Sequence, residues 1–179
     1  ARAVVTGGSK GMGLAIAETL AAEGARVAVM ARGQEALDAA VQSCLAAGAP
    51  DALGISVDMT DADSIAAGFA QVDEWWGSIN SLVHTIGPGD GYFEDLTDAD
   101  WDAAFSLGTM AGVRSIRAAL PLLRTADWAR IVTLSAHSIQ RQNPRIIAYT
   151  AAKSALSSIT KNLSKSLAKE GILVNCVCP

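Results

Sequence analysis

The chain has 179 residues, of which 50% are hydrophobic and 18% charged, with a formal net charge of -4. That length suits one domain with a substantial core rather than two. The composition excludes a disordered polymer, and the acidic balance argues against a nucleic-acid or anionic-membrane partner.

Taken in chain order, strand-length apolar runs alternate with longer stretches of helical spacing. Strands are expected near Ala3–Thr6, Arg26–Met30, Ala52–Val57, Ser81–His84, Arg130–Leu134 and Leu173–Val177. Helices are expected over Met12–Glu23, Gln34–Ala47, Asp63–Trp76, Trp101–Leu123 and Ile147–Glu170. This order predicts an α/β fold, a doubly wound parallel sheet with helices on both faces and right-handed crossovers. Asp61 and Asp98 are expected N-caps, and Gly24 and Gly171 helix stops. Pro121 predicts a kink or break late in its helix. The glycine- and proline-rich segment from Gly87 to Gly91 predicts a mobile loop after the fourth strand. No apolar run reaches membrane-spanning length and no basic-then-apolar leader precedes the first strand. Cys44, Cys176 and Cys178 are odd in number and lack metal-ligand spacing, so no metal site and a reduced, cytoplasmic setting are expected. Cys176 and Cys178 read as small core residues. Both ends fall inside or directly after apolar runs, which suggests a fragment.

Between the first strand and first helix lies Thr6-Gly7-Gly8-Ser9-Lys10-Gly11-Met12-Gly13. Gly7 permits a tight turn, Gly11 lets backbone approach a ligand and Gly13 allows close helix packing. The helix start then presents free N–H groups and a partial positive charge, which suits the pyrophosphate of a dinucleotide. The spacing is Gly-x-x-x-Gly-x-Gly rather than the common Gly-x-Gly-x-x-Gly. At the end of the second strand, where an acid would hold the ribose of NAD, stands Ala31-Arg32. Arg32 and Lys10 are cations suited to the extra phosphate of NADP, or else ordinary solvated side chains. Asp58 can accept from the adenine amino group or serve as a turn aspartate.

Tyr149 and Lys153 are four residues apart on a predicted helix and share a face. An ammonium beside a phenol favours the phenolate, so the pair can move a proton to or from a substrate oxygen at neutral pH. With the glycine-rich turn upstream, the pair points to a nicotinamide-dependent oxidoreductase.

On these motifs, and on the late Val174-Asn175-x-x-x-Pro179, the chain resembles the short-chain dehydrogenase/reductase family over essentially its whole length. The resemblance implies a Rossmann-type three-layer sheet in the order 3-2-1-4-5-6(-7). It implies one dinucleotide-binding and catalytic domain over residues 1–179, lacking the family's substrate loop and last strand. It implies Tyr149 as the acid/base, Lys153 tuning it and holding the nicotinamide ribose, and a homodimer or homotetramer packed through the last two long helices. The expected cofactor-binding set is Gly7, Ser9, Lys10, Gly11, Met12, Gly13, Arg32, Asp58, Met59, Gly87, Tyr149 and Lys153.

Three positions depart from the family pattern. His84-Thr85-Ile86-Gly87 replaces Asn-Asn-Ala-Gly, and His84 is read as a core or supporting histidine rather than a titrating group. Gly108 replaces an Asn that usually supports a water-linked proton path from the lysine. It should weaken its helix by about 1 kcal/mol, so that Gly108→Asn should be tolerated. Ala136 occupies the place of the family serine, with Ser135 and Ser138 flanking it; Ser135 is the preferred substitute. The reading that follows is an NADP(H)-dependent carbonyl reductase or alcohol dehydrogenase, of the 3-oxoacyl-thioester or other ketone reductase type. The alternative is a dinucleotide-binding homologue with weak or lost catalysis and a regulatory or assembly role. A methyltransferase on a similar sheet would leave the Tyr/Lys pair unexplained.

Overall fold

The computed structural model describes residues 1–89 and 91–179; Asp90, in the predicted loop, lies outside the described residues. Six strands form one parallel sheet: β1 (Arg2–Thr6), β2 (Arg26–Ala31), β3 (Ala52–Ser56), β4 (Ser81–His84), β5 (Ala129–Leu134) and β6 (Ile172–Val177). Their order is β3-β2-β1-β4-β5-β6, as expected for the fold class. The helices are α1 (Gly11–Ala22), α2 (Gln34–Ala47), α3 (Ala62–Trp76), α4 (Asp98–Phe105), α5 (Ala111–Arg124) and α6 (Ile147–Ser166).

The period-2 alternation of buried strands builds a core on each face. Val27 and Val29 of β2 pack with Ala17 and Ala21 of α1 and with Leu37 and Cys44 of α2. Ala28 and Met30, one residue out of phase, pack with Ile65, Phe69 and Val72 of α3 and Ile116 of α5. The chain reverses its winding between β1 and β4, where Thr6 lies opposite His84. Ligands of open α/β sheets bind outside the carboxyl ends of strands at such a switch point.

Several local expectations change. The stretch 101–123 is two α-helices joined by a π-helical segment, Ser106–Met110. Thr97, not Asp98, caps α4: its hydroxyl accepts from the Asp100 N–H while the Asp100 carboxylate accepts from the Thr97 N–H. This reciprocal pair satisfies two orphan donors at once, which a lone aspartate does not. Asp61 does cap α3, accepting from the Asp63 N–H at 3.0 Å. Gly24 and Gly171 both take left-handed backbone after helix ends. Pro121 lies within α5, which runs on to Arg124. In the last turn, the missing proline N–H removes only one bond of the ladder. Helix α6 ends at Ser166 and is followed by a 3-10 turn, Ala168–Glu170. Cys44 is core, but Cys176 and Cys178 are partly exposed: Cys176 lies on β6, which among the described residues pairs only with β5, and Cys178 lies just past its end. Among the described residues, no helix is long and apolar enough to cross a membrane.

Candidate active site

The turn after β1 is shaped by backbone that only glycine suits. Gly7 has φ 76, and its N–H donates to the Met30 carbonyl at 2.8 Å. A Cβ on Gly7 would stand 2.7 Å from both Ile86 Cδ1 and Thr85 Oγ1. A Cβ on Gly13 would stand 2.2 Å from the Gly7 carbonyl oxygen, so the first turn of α1 closes directly on the β1 turn. Gly11, with φ 55, faces open space. No side chain caps α1 and its first turn carries no acid, so its leading N–H groups and positive end suit an anion. Ser9 is half-buried here, and Lys10 and Met12 are exposed.

Arg32 lies exposed just past β2. Asp58 Oδ1 accepts from the Thr60 N–H at 2.9 Å and from its hydroxyl at 2.7 Å, closing a turn. These two bonds, with a smaller pull from the nearby Arg32 charge, hold the Asp58 carboxyl below its ordinary value. The turn role of Asp58 is therefore present in the fold. Met59 is 3% exposed and its sulfur takes the Ser115 hydroxyl, so its side chain belongs to the core.

Lys153 is 1% exposed. Its ammonium donates to the carbonyl oxygens of Ile86 and Leu134, the latter at 2.7 Å, and so ties the ends of β4 and β5 to α6. Burial pushes the Lys153 ammonium down to about 8, with Cys176 pulling weakly the other way. Tyr149 lies one turn earlier, half-buried. A Cβ on Gly87 would stand 3.2 Å from Tyr149 Cε2 and 4.0 Å from its hydroxyl, so the bare Gly87 backbone packs on the phenol. Both flanking serines face α6. Ser135 donates to the Lys153 carbonyl at 3.0 Å, while Ser138 accepts from the Thr150 hydroxyl at 2.8 Å.

His84 is completely buried. Its Nδ1 shares a 2.8 Å hydrogen bond with the Thr6 hydroxyl, whereas Nε2, beside Gly112, has no partner among the described residues. Burial, helped by the Lys153 charge, pushes His84 down to about 3, so the ring is neutral in the fold. It is a core histidine joining β1 to β4.

Gly108 departs most from expectation. It is buried in the π-helical segment, and a Cβ there would stand 2.8 Å from Ala152 Cβ and 3.0 Å from Pro88 Cγ. The neighbouring Thr109 hydroxyl donates to the Ala152 carbonyl at 2.8 Å. The glycine serves a close approach to α6, so Gly108→Asn has no room, contrary to the helix-propensity argument. Sequence reasoning also missed Thr85, Thr109, Thr150 and the Ile86 and Leu134 carbonyls. Backbone acceptors carry no residue-type signal, and an isolated threonine reads as surface or cap.

The segment Thr85–Gly87 joins the two halves of the site. Thr85 and Ile86 side chains pack on the glycine turn, while the Ile86 carbonyl and Gly87 backbone hold Lys153 and Tyr149. A sheet of this order, with a glycine cradle at the switch point and a Tyr/Lys pair beside it, defines a dinucleotide-binding oxidoreductase architecture. The short chain dehydrogenase family model matches residues 1–179, and the chain belongs to that family. It is 32% identical to dehydrogenase/reductase SDR family member 4 of Caenorhabditis elegans, over 99% of this chain and 69% of that protein. It is 31% identical to the 3-oxoacyl-acyl-carrier-protein reductase MabA of Mycobacterium avium, over 98% of this chain and 65% of that protein. A variant actinorhodin polyketide ketoreductase solved with NADPH superposes with a TM-score of 0.93 at 33% identity, covering 99% of this chain and 69% of that one. The chain thus spans about two thirds of the length of these relatives.

Proposed function

We propose that this chain is the cofactor-binding and catalytic part of an NADP(H)-dependent reductase of ketones, with 3-oxoacyl thioesters the favoured substrate class. The observation that carries the reading is the Thr85–Gly87 segment, which packs on the glycine turn and also holds Lys153 and Tyr149. The names of the similar 3-oxoacyl reductase and NADPH-bound ketoreductase support the substrate class and the cofactor. Arg32 and Lys10 favour the 2′-phosphorylated cofactor, since Ala31 offers no carboxylate to a free ribose hydroxyl.

The glycine cradle and the uncapped start of α1 fit a pyrophosphate, and Lys10, Arg32 and Asp58 would hold the ribose and adenine end. A bound nicotinamide supplies the hydride to the carbonyl carbon. Tyr149 donates the proton to the substrate oxygen, and the Lys153 ammonium favours the phenolate that remains. A serine hydroxyl from the β5–α6 turn orients the oxygen. The exposed side chains of Phe105 and Met110, 37% exposed each, lie on the helical stretch through which copies of the chain are proposed to pair.

The test is reduction of a ketone panel by the full-length protein with NADPH, followed by absorbance. Tyr149→Phe is expected to lower turnover at least ~10²-fold while NADPH still binds. Near-normal turnover in that variant would rule the mechanism out. A second reading, a dinucleotide-binding homologue with weak catalysis, is favoured by Gly108 and Ala136, which replace two polar residues of the family pattern. It predicts NADPH binding without turnover of any ketone.

A further inference from the structure

The family serine position is held here by Ala136, and two hydroxyls flank it. Their hydrogen bonds differ in direction. The Ser135 hydroxyl, 3% exposed, gives its only proton to the backbone carbonyl of Lys153 at 3.0 Å. A carbonyl cannot return a proton, and the Cys178 thiol is a second hydrogen-bond partner of the same hydroxyl, so Ser135 is engaged within the fold. The Ser138 hydroxyl, 8% exposed, instead accepts a proton from Thr150 Oγ1 at 2.8 Å. Its own hydrogen is left to donate, and accepting from Thr150 polarises it toward doing so.

Position along α6 points the same way. Carbonyls of an α-helix are directed toward its C-terminal end, so the Lys153 oxygen and the Ser135 hydroxyl on it lie beyond Lys153. That is more than one turn, at ~5.4 Å per turn, past Tyr149. Ser138 meets the helix at Thr150, the residue next to Tyr149. It is carried by a 3-10 turn, His137–Ile139, that is entered through extended backbone at Ala136.

We infer that Ser138, rather than Ser135, provides the hydroxyl that orients the substrate carbonyl oxygen, and that Thr150 is a positioning residue for it. The inference rests on the ketone-reductase reading above and deepens it. Hydride reaches the carbonyl carbon, the proton on the oxygen comes from Tyr149, and Ser138 contributes a hydrogen bond and no proton. Ser135 anchors the end of β5 to α6.

Four variants of the full-length protein test this, with NADPH and a ketone that the unmodified protein reduces. Ser138→Ala is expected to lower kcat/KM about 10²-fold or more, the loss typical of one oxyanion donor. NADPH affinity, read by fluorescence, should not change. Ser135→Ala should cost less in kcat and show its effect in melting temperature. Thr150→Val, close in size but without the hydroxyl, should lower kcat per cofactor-binding site, and Thr150→Ser should restore it. A larger kcat loss in Ser135→Ala than in Ser138→Ala would overturn the assignment, as would unchanged kcat in Thr150→Val. If Tyr149→Phe abolishes turnover and Ser138→Ala does not, the serine assignment fails and ketone reduction stands. If the unmodified protein binds NADPH and reduces no ketone, the function reading falls, and this inference with it.

Discussion

Lys153 combines two properties that rarely meet in one side chain: it is buried and it is a cation. Its ammonium is held by the carbonyls of Ile86 and Leu134, which replace part of the lost hydration, and burial still lowers it to about 8. Lys153→Met keeps the stem and removes the charge. The proposed role predicts weaker NADPH binding and a pH–rate profile moved to higher pH, since nothing then favours the phenolate. A change in melting temperature alone would make Lys153 structural. Arg32 is the residue proposed to carry the cofactor preference. Arg32→Ala should weaken NADPH by tenfold or more, the ~1.5–3 kcal/mol typical of a charge-assisted contact, and leave NADH nearly unchanged. Equal losses for both cofactors in a fluorescence titration would sink that role.

At the scale of elements, the π-helical segment Ser106–Met110 is the feature with the largest consequence. Such bulges tend to occur at functional sites, and this one brings the chain against Ala152, next to Lys153. Helix propensity alone favours Asn over Gly at position 108. Packing outweighs it, because any Cβ there meets Ala152 and Pro88 well inside contact distance. Gly108→Asn should therefore destabilise the fold by about 1–3 kcal/mol, the usual cost of overpacking. A thermal melt several degrees below that of the unmodified protein is expected. An unchanged melt would mean that α6 and the β4 loop give way freely.

The whole molecule inherits a pH dependence from one buried ring. His84 sits at the centre of the sheet, bonded to Thr6 across the β1–β4 junction, with a folded value of about 3 against 6.5 for the free side chain. A base whose folded value is lowered binds fewer protons folded than unfolded between those two limits. Stability therefore falls as pH drops from about 6.5 toward 3. Chemical denaturation at pH 7 and pH 5 should show the decline before most carboxylates titrate. His84→Gln, which cannot take up that proton, should flatten it between the same two pH values. An equal decline in both proteins would place the acid sensitivity elsewhere.

Periodicity and punctuation made the sheet legible from the chain alone. The six strands were readable to within a residue or two because buried parallel strands are continuous apolar runs. Gly7 and Gly13 were readable because a tight strand–helix turn demands glycine, and Tyr149 and Lys153 stood out because their spacing suits the proton transfer proposed for them. What the tertiary structure alone decided is how hydroxyls and carbonyls from distant segments meet. Ser135 and Ser138 are equivalent as letters, and only the packing of the β5–α6 turn on α6 makes one a partner of the Lys153 carbonyl and the other an acceptor from Thr150. Gly108 read as a weak helix residue, since the atoms that forbid a side chain there come from Pro88 and Ala152, remote in sequence. Local propensity is written along the chain, whereas hydrogen-bond direction and free space depend on through-space neighbours that no short window contains.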